Sequence, residues 1–208
     1  MLGHVYYHSE VVVPQRVASD SPLQSRLRNW NFSRALSGDI IVEQDIHAID
    51  LAVWYMRSHP SEAFGACERI VGPREGDLRD AFLVNFLFPN GVQVDFSGAR
   101  FLKGYHDICA RIYGTAGTLD SHYLGAVQIT GDKPWTGATA DATRDGALTN
   151  VGNFVESVRT GKYLNNAAVA VESNLSCILG RTAGYERRIV TWDETINRNE
   201  KLDARLQA

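Results

Sequence analysis

Cysteine is scarce. Cys67, Cys109 and Cys177 are the only three in 208 residues, far apart and in no Cys-x-x-Cys spacing. An odd number without paired spacing argues against both a disulfide framework and a structural zinc site, and the simplest reading is three small core residues. Long apolar runs are missing too. The opening Met-Leu-Gly-His-Val-Tyr-Tyr is neither a signal peptide nor a membrane span, so a cytoplasmic chain with no membrane partner is expected. Excess charge of one sign is also absent, with 21 Lys and Arg against 24 acidic residues and only short basic clusters near Arg26 and Arg187. That balance gives no footprint for nucleic acid. Finally, no Gly-x-Gly-x-x-Gly string occurs, so the sequence carries no dinucleotide-binding fingerprint.

What is present is a chain with 44% apolar residues, enough for a substantial core in one large domain or two small ones. Residues 4 to 13 alternate loosely and read as a first strand. From Pro14 to about Ser25 the chain is polar, an ordered loop with a short helical turn. Between Ala63 and about Ile129 the pattern is that of a meander of five or six strands. Its strongest signal is Phe82, Val84, Phe86 and Phe88, then Pro89-Asn90-Gly91, then Val92, Val94 and Phe96, an antiparallel hairpin. Gly114-Thr115-Ala116-Gly117 marks a second return.

Two helices are expected to close the chain. One carries Val151, Phe154, Val155 and Val158, with Asn150 as cap and Gly161 as stop; the other carries Ala168, Val171, Leu175 and Ile178. The fold class is α+β: an open, largely antiparallel β-sheet with helices on one face. Because Phe82, Phe86, Val92, Val94 and Phe96 exceed what one helical layer can cover, a second copy is expected on the other face.

The richest stretch is Gly38 to Trp54. Read as one helix, it puts Glu43, His47, Asp50 and Trp54 on a stripe beside an apolar one of Val42, Ile46, Ile49, Val53 and Met56. His47 would then have a carboxylate on the turn before it and another on the turn after, orienting it and keeping it basic. The bland alternative is a solvated face, since such ion pairs are common and weak. Trp54, a large ring that surfaces seldom carry, and the Gly38-Asp39 opening favour a site. A divalent ion on Glu43, His47 and Asp50 lacks any accompanying His-x-His or His-Glu-x-x-His string, and no metal is expected.

Gly38 to Trp54 resembles the C-terminal domain of the Gfo/Idh/MocA oxidoreductases, the family of glucose-fructose oxidoreductase and inositol dehydrogenase. So do Leu27-Arg28-Asn29-Trp30 ahead of Ser37-Gly38-Asp39, Phe88-Pro89-Asn90-Gly91, Tyr113-Gly114-Thr115-Ala116-Gly117-Thr118, Leu179-Gly180-Arg181 and Val190-Thr191-Trp192-Asp193-Glu194, in the family's order. The resemblance implies a single domain over residues 1–208, without the Rossmann domain that binds NAD or NADP. It further implies a sugar or polyol substrate, a homodimer or tetramer through the sheet, and a possible separate Rossmann-domain chain. The family's catalytic lysine lies in a Glu-Lys-Pro motif of that other domain; Asp132-Lys133-Pro134 is rejected as its equivalent because Trp135, a second-domain landmark, follows it.

Carried over from the family, His47 is the acid/base or holds the substrate hydroxyl, Asp50 contacts hydroxyls, and Glu43 stands where relatives carry aspartate. Arg28, Trp30, Gln44 and Tyr123 are candidates for the substrate-cleft wall. Three functions stay open: the substrate and assembly half of an NAD(P)-dependent oxidoreductase, a stand-alone binding or oligomerisation module, and a cofactor-independent keto-sugar lyase or isomerase.

Overall fold

A computed structural model describes residues 1–72, 76–123, 125–137 and 142–206. Nine strands among them form one sheet in the order β8-β7-β6-β5-β1-β4-β3-β2-β9. They are β1 (Leu2–Glu10), β2 (Glu62–Glu68), β3 (Ala81–Leu87), β4 (Gln93–Leu102), β5 (Asp107–Tyr113), β6 (Gly117–His122), β7 (Val127–Gly131), β8 (Trp135–Thr136) and β9 (Val190–Thr191). The sheet is open and antiparallel except where β1 runs parallel to β4. The helices are α1 (Pro22–Arg28), α2 (Arg34–Ser37), α3 (Ile40–Glu43), α4 (Ile46–Met56), α5 (Ala142–Thr160), α6 (Ala167–Glu186) and α7 (Trp192–Arg198). The fold is α+β, as the strand and helix patterns predict.

The expected meander is interrupted. β1 slots between β4 and β5, so strands adjacent in sequence are separated in the sheet. Alternation fixes which face a side chain takes but not which strand lies alongside, and β1 has apolar residues for a central position: Val5 is fully buried. Its bounds also shift, because Val11, Val12 and Val13 leave the strand and are exposed. The polar segment after it does contain a helix, α1, closed by a capping box in which Ser21 and Gln24 satisfy each other's backbone amides.

The argument that one helical layer cannot cover the hairpin fails. Phe86 pairs with Val94 and Val84 with Phe96, so these side chains project from the same face, and Phe82, Phe86, Val92, Val94 and Phe96 all belong to one buried cluster. They fit because α6 presents small residues to them. A Cβ on Gly180 would lie 2.7 Å from Phe86 Cζ, and one on Gly184 would lie 3.4 Å from Phe82 Cδ1. The buried residues of α6 include Ser173, Ser176, Cys177, Leu179, Gly180, Ala183 and Gly184, displaced from the Ala168, Val171, Leu175, Ile178 stripe.

α5 begins before Asn150 and stops before Gly161, which has φ +68°. Its Val151, Phe154, Val155 and Val158 are exposed, so this helix does not dock on the core. A third closing helix, α7, follows Thr191, whose hydroxyl accepts a hydrogen bond from the Glu194 amide. Among the described residues, no helix is long and apolar enough to cross a membrane.

Candidate functional site

The expected helix from Gly38 onward is two pieces, α3 and α4, and a further short helix, α2, ends just before it. Gly38 closes α2 in the left-handed region at φ +83°, where a Cβ would stand 2.8 Å from Val42. Asp39, itself at φ 80°, opens α3 by accepting from the Ile40 amide. The third discontinuity falls at Gln44 and Asp45, where the amides of both residues reach back to the Ile40 carbonyl. The second of these bonds spans five residues, a local widening of the kind frequent at functional sites. The Glu43, His47, Asp50 stripe is thus split, with Glu43 on α3 and His47 and Asp50 on α4.

The break turns Asp45 inward. Its carboxylate is fully buried against β4 at Gly98, where a Cβ would come within 2.1 Å of Asp45 Oδ2, so the missing side chain is what admits it. Both Asp45 oxygens, Glu43 Oε2 and Arg100 Nε and Nη1 are buried without hydrogen-bond partners. Glu43 and Arg100 form a loose ion pair at 3.9 Å. Burial, reinforced by Asp39 and Glu43 against the opposing pull of Arg100, holds the Asp45 carboxyl well above the usual carboxylate range.

An acid raised in this way binds its proton preferentially in the folded state. Its contribution is therefore present below its unfolded value, about 3.9, and is lost as pH rises through the raised folded value. Asp45→Asn, which mimics the neutral acid, is expected to remove that slope, which is at most about 1.4 kcal/mol per pH unit for one group. The smaller effect of Asp39, whose carboxyl burial also raises, would remain. Urea unfolding of both proteins from pH 5 to 8 checks this, and a stability difference between them that does not change with pH would disprove it.

His47 lies in the first turn of α4, exposed, and its imidazole makes no hydrogen bond among the described residues. Aromatic rings frame it: Tyr7 of β1 has its centroid at 6.2 Å, and Tyr123, just after β6, at 5.7 Å. His106 also approaches Tyr7, with ring centroids 6.5 Å apart. Gln44 donates to Ser9 Oγ at 2.7 Å, tying the helix break to β1. Burial first, then the negative charges of Asp45 and Glu43, raise the Tyr7 pKa, so this phenol stays protonated at neutral pH and can donate. The group is a wall of two phenols and an imidazole, open to solvent, and suited to binding hydroxyls and moving a proton.

Of the residues expected at the site, the structure brings His47, Gln44 and Tyr123 together and puts Glu43 behind Tyr7. Asp50 faces α6 instead, accepting from Ser173 Oγ at 2.5 Å, and so joins two helices. Arg28 is held bidentately by Asp20 at 2.7 and 3.0 Å, and Trp30, itself exposed, starts a single turn that buries Phe32; among the described residues neither has a ring contact or hydrogen bond to the wall. Trp54 packs on Tyr55 and is exposed, not part of the wall. Tyr7, Ser9, Asp45, Arg100 and His106 escaped the sequence reading. Only Tyr7 carried a signal, as an aromatic in an alternating strand, and alternation does not say what stands opposite.

The profile of the GFO/IDH/MocA C-terminal domain matches residues 8–120, and the chain belongs to this family. No curated protein sequence matches it. Among solved structures it resembles levoglucosan dehydrogenase in complex with NADH and levoglucosan, with 17% identity and a TM-score of 0.70 over 92% of this chain and 58% of that one. It also resembles myo-inositol 2-dehydrogenase from Lactobacillus plantarum, with 20% identity and a TM-score of 0.65 over 92% and 56%. A third likeness is to an oxidoreductase from Thermotoga maritima, at 18% and 0.67 over 91% and 54%. The chain therefore spans little more than half the length of each.

Among the described residues, the glycine-rich turn at 114–117 does not fit a nicotinamide dinucleotide. Gly114-Thr115-Ala116-Gly117 turns β5 into β6, a strand-to-strand return, whereas a pyrophosphate cradle needs a glycine-rich turn leading into a helix.

Proposed function

We propose that this chain is the substrate-binding and assembly half of an NAD(P)-dependent oxidoreductase acting on a sugar or polyol hydroxyl. One observation carries the reading: His47 is exposed and unbonded between Tyr7 and Tyr123, on the helix where the family resemblance puts the acid/base. His47 exchanges the proton of the reacting hydroxyl, while Tyr7, Gln44 and Tyr123 hold neighbouring oxygens. Glu43 acts from behind, through the electrostatics of Tyr7 and Arg100. Asp50 fixes α4 on α6, which keeps His47 in place. Residues 1–208 act as one domain, and the nucleotide comes from a separate Rossmann fold. Assembly uses the outer sheet face, where Phe64 and Leu83 stand exposed on β2 and β3.

The test is reconstitution. The chain is assayed with NAD or NADP and a panel of sugars and polyols, alone and with a nucleotide-binding half supplied as a second polypeptide. Reduced nicotinamide is expected only when both are present. Micromolar nucleotide binding by the chain alone, or a combined activity indifferent to every polyol, would overturn the reading. A stable oligomer inactive under all conditions would mark a stand-alone module.

A further inference from the structure

Cys109 is fully buried yet stands outside the main hydrophobic cluster. It lies on β5 between Ile108 and Ala110, which belong to that cluster, so its thiol points to the opposite face of the sheet. There it pairs across the ladders with Tyr6 of β1 and His122 of β6, and Asp120 stands one pleat along. Asp120 Oδ1 is 3.9 Å from Cys109 Sγ and 3.4 Å from His122 Nε2, and the three donor atoms lie within 4.8 Å of one another.

We propose that Cys109, Asp120 and His122 bind one zinc ion on the outer face of the sheet, through Sγ, a carboxylate oxygen and Nε2. Zinc takes thiolate, carboxylate and imidazole together, at about 2.3 Å for sulfur and about 2.0 to 2.2 Å for the other two. From those bond lengths, a tetrahedral site needs an oxygen-to-nitrogen edge of about 3.3 Å and a sulfur-to-oxygen edge of about 3.5 Å. The observed separations match the first and exceed the second by a few tenths of an ångström.

Asp107 orients the ligand histidine. Its Oδ2 is 2.8 Å from His122 Nδ1 and also accepts from the Tyr6 hydroxyl at 2.8 Å. With the proton on Nδ1, the Nε2 lone pair faces Asp120 Oδ1 at 3.4 Å, where a cation can bridge the two. Arg111 pairs with Asp120 at 2.8 Å, and an ionised carboxylate has acceptor sites for both a guanidinium and an ion. Charge closes as well: the Cys109 thiolate, Asp107 and Asp120 balance zinc and Arg111. On binding, the thiol gives its proton to solvent and a sulfur–zinc bond forms, with no change of oxidation state.

The test is a cobalt titration of the chelator-stripped 208-residue chain. One Co²⁺ per chain is expected, with thiolate-to-cobalt charge-transfer absorption that Zn²⁺ erases and Cys109→Ser abolishes. Asp107→Asn is expected to weaken zinc binding about 10- to 100-fold, as loss of such an orienting partner does. Zn²⁺ should raise the melting temperature of the native chain and not that of His122→Gln, whose metal-free melt shows whether it is folded. Absence of the charge-transfer band in the native chain would overturn the site, leaving His122 simply held between two carboxylates. A band that survives Cys109→Ser would also overturn it, by placing the ion on another cysteine.

Discussion

Truncating Phe86 to alanine is expected to destabilise the chain by about 3–5 kcal/mol, the usual cost of removing a fully buried aromatic ring. Phe86 is 2% exposed, pairs across the hairpin with Val94 and fills the space over which α6 crosses the sheet. The crossing is close, because a Cβ at Gly180 would meet Phe86 Cζ at 2.7 Å and Ile41 Cδ1 at 3.2 Å. Gly180→Ala alone should therefore also destabilise, by overpacking. In a Phe86→Leu background the same change should cost less, since the ring edge it strikes is gone. Urea midpoints for the four proteins measure this coupling. If the two effects add without interaction, the helix does not approach the sheet as described.

Replacing His47 by alanine in the reconstituted oxidoreductase is expected to lower kcat about 10²- to 10⁴-fold, the range associated with a positioned proton donor or acceptor. The imidazole stands free of the carboxylates that its spacing first placed beside it, so Glu43→Gln and Asp50→Asn should affect kcat less. Asp50→Asn should instead lower stability, because Asp50 accepts from Ser173 at 2.5 Å and links α4 to α6. Tyr7→Phe removes a donor without removing the ring and should raise KM more than it lowers kcat. Steady-state kinetics on this set separates the roles, and a His47→Ala enzyme with unchanged kcat would end the acid/base assignment.

Much of the fold was legible from residues. The alternation of Phe82, Val84 and Phe86 around Asn90-Gly91 specifies a hairpin because only one face of a pleated ribbon can be buried. Gly161 stops a helix because a left-handed residue is needed there. Of the residues expected at the site, His47 and Tyr123 stand beside each other, and Gln44 ties the start of the helix to β1.

What was not legible depended on partners distant in sequence. Helical spacing from Glu43 to Trp54 looked continuous, but Asp45 has a place to go only because β4 carries Gly98 opposite it. Asp50 looked like a site residue until α6 brought Ser173 to it. Arg28 looked available until Asp20 took it. Cys109 read as a small core residue, because nothing local reveals that β6 brings His122 and Asp120 to its side.

The sequence by itself determined the family, the α+β class and the faces of the individual strands, since periodicity and turn chemistry are local. Only the tertiary structure decided that β1 enters the centre of the sheet, that the site helix breaks at Asp45, and that Tyr7 stands beside His47. Those outcomes rest on contacts between segments far apart along the chain, which become favourable only when the whole core closes around them.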